Sequence, residues 1–156
     1  MKRIAVIAFV ALALAACKKP ANLTWQSSPD QKTWTAVTLP STDFKCTDCD
    51  RFFKTTVKGK PSSVSFRFAS DNKARLVVNG KPVFEDFWKP DTCTEKACCS
   101  DCCDSPANCA TVIAKAPKHD LSAAALAAFH DGDNDVVWEV HQEAGGSGFD
   151  VQMDVH

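Results

Sequence analysis

From Thr33 to the end of the chain, apolar residues recur mostly at every second position, the period of strands that bury one face. In Ser63–Ala69, Val64, Phe66 and Phe68 alternate with Ser63, Ser65 and Arg67. At the end of the chain the division is complete, with Phe149, Val151, Met153 and Val155 set against Asp150, Gln152, Asp154 and His156. The same pattern predicts strands over Thr33–Leu39, Phe52–Val57, Ala74–Val78, Val83–Asp86, Thr111–Lys115 and Val136–Gln142. Asn79-Gly80 predicts a type I′ turn, whose two central residues both need positive φ. Gly145, Gly146 and Gly148 mark another turn. One short helix is predicted over Leu121–Phe129, opened by Asp120 or Ser122 as cap and closed by Gly132. About nine residues are marginal as an isolated helix, so this one must lean on the sheets.

Short strands at regular spacing predict an all-β domain, a β-sandwich or jelly roll, rather than a parallel α/β fold. The series FFKTTV, VSFRFASDNKARLVVNGKPVF and LSAAALAAFHDGDNDVVWEVHQEAGGSGFDVQMDV resembles the galactose-binding-like jelly rolls, which include the sugar-binding modules of glycosidases. Asp71-Asn72, Val78-Asn79-Gly80 and Gly132-Asp133-Asn134 stand where that family has its polar strand end, its Val-Asn-Gly strand end and its Gly-x-Asn turn. The resemblance spans most of Phe52–Val155 and implies a fold and, more weakly, a carbohydrate ligand. Fold alone does not fix function.

The N-terminal pattern differs. Lys2 and Arg3 precede an apolar run from Ile4 to Leu14 and small residues before Cys17, the build of a secretory signal. The run is shorter than the roughly twenty residues of a permanent membrane helix. Leu14-Ala15-Ala16-Cys17 resembles the bacterial lipobox, which implies removal of residues 1–16 and acylation of Cys17. Residues 17–22 are then the lipidated cysteine and a short tether, and 23–156 the folded domain. More than one acyl chain gives stable anchoring. Lys18 after the lipidated cysteine favours the outer membrane over the inner. The only prosthetic group expected is this lipid.

Export changes the reading of sulfur. Nine cysteines leave one unpaired in an oxidising compartment. With Cys17 carrying lipid, Cys46, Cys49, Cys93, Cys98, Cys99, Cys102, Cys103 and Cys109 can all pair, as in small exported domains. Most lie in an insert over residues 89–110 that has almost no large apolar side chain and cannot offset its own ordering entropy. Cys46 and Cys49 are the natural partners for it. A bridge closing a loop of about fifty residues contributes roughly 4 kcal/mol in the chain-entropy view. Cys46-x-x-Cys49 with Cys99-x-x-Cys102 also has the spacing of a four-thiolate zinc site, and thiolates suit copper or iron–sulfur clusters. A thioredoxin-like site lacks its βαβ context, and no CxxCH exists for haem.

Other chemistry is sparse. The formal charge of −1 becomes −3 without Lys2 and Arg3, so no basic field draws nucleic acid. No serine-hydrolase, zinc-protease, P-loop or dinucleotide-binding motif is present. His119, His130, His141 and His156 stand singly and read as solvated. Asp131-Gly132-Asp133-Asn134-Asp135 resembles the start of a calcium loop but has Val136 at the glycine position and Gln142 in place of the bidentate glutamate, and reads as an acidic turn. Trp138 and Trp34 read as core. Trp88, leaving a strand beside Asp86 and Asp91, has the amphipathic indole suited to stacking on a sugar, although packing beneath the insert suits it too. The expectation is a non-enzymatic, membrane-anchored binding or scaffold protein of the cell envelope. Its partners are envelope proteins or glycans, and it contacts them through loops held on a rigid sandwich. A carbohydrate-binding module is the alternative, and a thiolate metal-binding lipoprotein the third.

Overall fold

The computed structural model describes residues 23–42, 44, 46, 48–86, 103, 105–143 and 147–156. The strands are β1 (Trp25–Ser28), β2 (Thr35–Val37), β3 (Ser41–Thr42), β4 (Cys49–Lys58), β5 (Val64–Asp71), β6 (Lys73–Val78), β7 (Lys81–Asp86), β8 (His119–Asp120), β9 (Asp133–Gln142) and β10 (Gly148–Val155). The helices are α1 (Pro106–Lys115) and α2 (Ala123–Leu126). The strands form two antiparallel sheets, ordered β2-β1-β4-β9-β6-β7 and β3-β10-β5-β8. The protein is therefore a β-sandwich, as its period-two pattern predicts.

Alternation assigns the faces. Phe53, Val57, Val136, Trp138, Val140 and Leu76 from the larger sheet meet Val64, Phe66, Phe149 and Val151 from the smaller one in one buried cluster. Trp138 lies fully buried at its centre, with its ring 5.2 Å from Phe66, 5.1 Å from Phe68 and 5.5 Å from Phe149. Rings at these separations gain offset and edge-on attraction beyond simple area burial.

Turns hold the strand ends in place. Asn79 and Gly80 have φ of 50° and 78° and join β6 to β7, the turn their dipeptide predicts. Nearby, the fully buried Asn134 directs its Nδ2 group at the carbonyls of Val57, Gly59, His130 and Gly132. Its Oδ1 accepts from Asn79 Nδ2 at 2.8 Å and from the His130 N–H at 2.9 Å. The acidic turn at 131–135 is thus organised around an amide that satisfies backbone groups.

Two elements depart from the pattern. Thr111–Lys115 is the second half of α1, not a strand. Ser105 accepts from Asn108 N as N-cap, Pro106 occupies the first turn, and Cys109 and Ile113, four residues apart, form the buried face. These local signals outweigh the β preference of Thr111, Val112 and Ile113. The helix expected over Leu121–Phe129 is a single α-turn at Ala123–Leu126, capped by Ser122 Oγ, after which Phe129 drops into the core.

Candidate functional site

Asp86, just before the insert, and Cys103, within it, lie at the same end of the sandwich. Asp86 pairs with Ala74 beside the β6 start, and Cys103 lies against Gly148 at the β10 start. A Cβ on Gly148 would collide with the Cys103 carbonyl oxygen, so glycine alone permits that approach. Cys103 bonds to Cys109 in α1. Both cysteines are fully buried and pack with Ile113 on Ala69, on the outer surface of the smaller sheet. Arg67 donates to the Ala116 carbonyl just past the end of α1, where a cation also complements the helix dipole. The return of the insert is therefore fixed by a docked helix and a short disulfide.

Cys46 and Cys49 are bonded to each other. This corrects the expectation that they reach across to the insert, and with it the large loop-closure contribution. It also removes both thiolates from the four-cysteine metal site that the spacing suggested. The physical reason is local: Cys49 opens β4, and Cys46, three residues before it, packs against the core. Cys17, Cys93, Cys98, Cys99 and Cys102 lie outside the described residues, as do Trp88 and Asp91.

At the same end, β4 and β9 pair Asp50 with His141. The imidazole Nδ1 is 2.8 Å from Asp50 Oδ1 and its Nε2 is 3.5 Å from Asp48 Oδ1. Asp48 adopts a positive φ of 53°, and its N–H donates to the Glu143 carbonyl. Glu143 in turn pairs with the nearly buried Lys73. His141 faces outward as its phase predicts, but it is clasped by two carboxylates rather than solvated. His119 is likewise not solvated: its ring packs 4.8 Å from Phe84 and 5.4 Å from Phe66, joining the edge strands of the two sheets. Asp86 sits at this seam. Burial pushes its carboxyl above the ordinary value, and the nearby His119 partly opposes the shift. Of the expected ligand trio, only Asp86 is described, and its seam is packed with aromatic rings.

The outer face of the larger sheet offers a different feature. Trp34 lies there, half-buried, because Trp34 and Ala36 share the outward phase of β2 while Val37 and Leu39 turn to the core. The expectation that Trp34 is core is corrected; the alternation is right, but the short edge strand presents the opposite face. A groove of about 260 Å³ runs beside it, lined by Gln31, Trp34, Lys54, Asn79, Asp135 and a floor of Val77 and Val137. Lys54 Nζ lies 4.6 Å from the indole centroid. The position of Trp34 traces back to Asp30, whose Oδ1 accepts from the N–H groups of Lys32 and Thr33 and from the Ser28 hydroxyl. Those bonds hold its carboxyl below the ordinary range, with the Lys32 N–H the largest cause. They shape a hairpin in which Gln31 takes a φ of 60°.

The chain matches no protein-family profile and no curated protein. Among solved structures, the alpha-L-rhamnosidase of Streptomyces avermitilis, complexed with L-rhamnose, is similar over 86% of this chain and 12% of its own, at 15% identity and a TM-score of 0.45. At that level the likeness carries no argument about ligand or activity.

Among the described residues, no helix is long and apolar enough to cross a membrane. No group of three or more His, Cys, Asp or Glu among them is placed to hold a metal ion. The groove at Trp34 is the feature the sequence concealed. Its signal was the Ser-x-Asp turn at Ser28–Asp30, which ends β1 early and sets the phase of the strand that follows.

Proposed function

We propose that the protein is a lipid-anchored, non-enzymatic binding module of the bacterial cell envelope, held by acylated Cys17 and presenting its cysteine-bearing end away from the bilayer. One observation supports this most. The pairs Gln26–Lys54 and Lys58–Asp133 place the start of β1 toward the Lys58 end of the larger sheet, whereas both flanks of the insert lie at the Cys49 end. Five residues of tether span roughly 15 to 20 Å when extended. A ten-residue strand such as β4 adds about 33 Å between one end and the other. The end bearing Cys49, Asp86 and Cys103 is then membrane-distal, suited to meeting envelope partners, and Lys18 favours the outer membrane.

The test uses the mature lipoprotein in vesicles, with a fluorophore at Lys58 or at Glu85 and quenchers carried on the lipid. Lys58 should be quenched several-fold more strongly than Glu85. Equal or reversed quenching contradicts the proposed orientation, and a Cys17→Ser chain that stays with the membrane contradicts the anchor itself. A second reading, a carbohydrate-binding module, is favoured by the groove beside Trp34.

A further inference from the structure

The two disulfides among the described residues differ in their surroundings. Cys103 and Cys109 are fully buried between α1 and the smaller sheet, whereas Cys46 and Cys49 are only half-buried. The chain around Cys46–Cys49 is also held without the bridge. Phe44 is buried against Phe53, its N–H donates to Ser147 Oγ at 2.7 Å, and its carbonyl accepts from Arg51 at 3.0 Å. The Asp48 N–H donates to the Glu143 carbonyl at 2.9 Å, and its carboxylate faces His141. Cys49 is the first rung of β4, opposite Gln142. A link of sequence separation 3 also constrains the unfolded chain less than a long-range one does. The bridge is thus reachable, and the contacts beside it already fix the local chain.

We propose that Cys46–Cys49 is a thiol–disulfide exchange site whose partner is a protein dithiol set in a basic surface. Exchange depends on access to a sulfur and on a second sulfur close enough to resolve the mixed disulfide, and two cysteines separated by two residues supply both. An incoming thiolate attacks one sulfur of the bridge, forming a mixed disulfide and releasing the other sulfur as a thiolate that takes a proton from water. The partner's second thiolate then attacks the partner sulfur in the mixed disulfide. The second bridge sulfur leaves and is protonated in turn. One S–S bond breaks in this chain and one forms in the partner, so two electrons pass from the partner dithiol to Cys46 and Cys49. The same steps in reverse, with a partner disulfide, restore the bridge. The exchange is stoichiometric and independent of the binding role proposed above.

The charges beside the bridge select the partner. Asp48 and Asp50 flank Cys49 and are both exposed, with Glu143 close by. The cations at this end are turned away from solvent: Lys73 is nearly buried against Glu143, and the Arg51 guanidinium lies over the Phe44 ring. His141 holds Asp48 and Asp50 from the sheet side and leaves them on the rim. Among the described residues, the surface that meets an incoming thiolate is therefore acidic. It attracts a dithiol carried among lysines and arginines and repels one carried among carboxylates.

The experiment mixes the mature lipoprotein in detergent with two reduced dithiol peptides, one flanked by lysines and one by glutamates, and follows each bridge by differential alkylation and peptide mass spectrometry. Cys46–Cys49 should open at least tenfold faster than Cys103–Cys109, with one peptide disulfide formed per bridge opened. The lysine-flanked peptide should react several-fold faster than the glutamate-flanked one at low salt, and the gap should narrow as salt rises. Asp48→Asn with Asp50→Asn should narrow it too. Replacing the pair, Cys46→Ser with Cys49→Ser, should leave the circular dichroism spectrum and cooperative unfolding in place. Opening no faster than that of Cys103–Cys109, or loss of the sandwich in the double serine variant, overturns the exchange site. Equal rates for the two peptides at low salt overturn the basic partner.

Discussion

Asn134 joins three turns through one amide, contacting Val57 and Gly59 after β4, His130 and Gly132 before β9, and Asn79 after β6. Asn134→Ala leaves buried carbonyls and an N–H without partners, each costing about 1–3 kcal/mol. Equilibrium unfolding should show a loss of about 3 kcal/mol or more, and a loss below 1 kcal/mol contradicts this role. Asp150 acts in the opposite sense. It lies on the outward phase of β10, and burial raises its pKa while the Val151 N–H lowers it. The folded chain therefore keeps that proton at pH values where the unfolded chain has lost it, and stability from this group falls as pH rises through the window. Asp150→Asn should raise the thermal midpoint at pH 7, and the gain should disappear as pH drops below the ordinary carboxylate value of 3.8. A gain that grows on acidification contradicts the assignment.

At the scale of elements, α1 is held to the sheet where Cys103 meets Gly148. Gly148→Ala forces the Cys103 segment outward, and overpacking of this kind costs about 1–3 kcal/mol. The variant should expose Cys103–Cys109 to mild reductant and speed proteolysis before Pro106, with the β-sandwich otherwise intact; unchanged reduction kinetics contradict the contact. This element was also the hardest to read in advance. Thr111-Val112-Ile113 suits a strand, and the helix signal lay in a Ser-Pro cap and an apolar pair at Cys109 and Ile113, where the cysteine was counted as a staple rather than as a core residue. The strands β4, β5, β9 and β10, eight to ten residues each, were legible because a run of alternation within each fixes both existence and face. β2 has three residues, and alternation alone cannot say which side of so short an edge strand meets the core. Trp34 was misplaced for that reason, and the groove was missed with it.

For the whole molecule, the arrangement is a two-sheet sandwich with a proposed lipid tether toward one end, Asp86 and Cys103 at the other and an open sheet face between. On the proposed reading each part depends on export, because the tether needs acylation and the sulfur pairs need an oxidising compartment. Among the described residues, the disulfides Cys46–Cys49 and Cys103–Cys109 contribute locally, closing short loops of sequence separation 3 and 6. The sheets themselves are held by the aromatic core around Trp138, so reduction of Cys103–Cys109 should loosen α1 before it unfolds the sheets. The most direct measurement is non-reducing peptide mass spectrometry of the protein taken from its native membranes. It should find an N-terminal peptide that begins at Cys17 and carries acyl chains, together with linked peptides pairing Cys46 to Cys49 and Cys103 to Cys109. A chain that retains residues 1–16 with free thiols, or one that links Cys46 or Cys49 to the insert, contradicts the account.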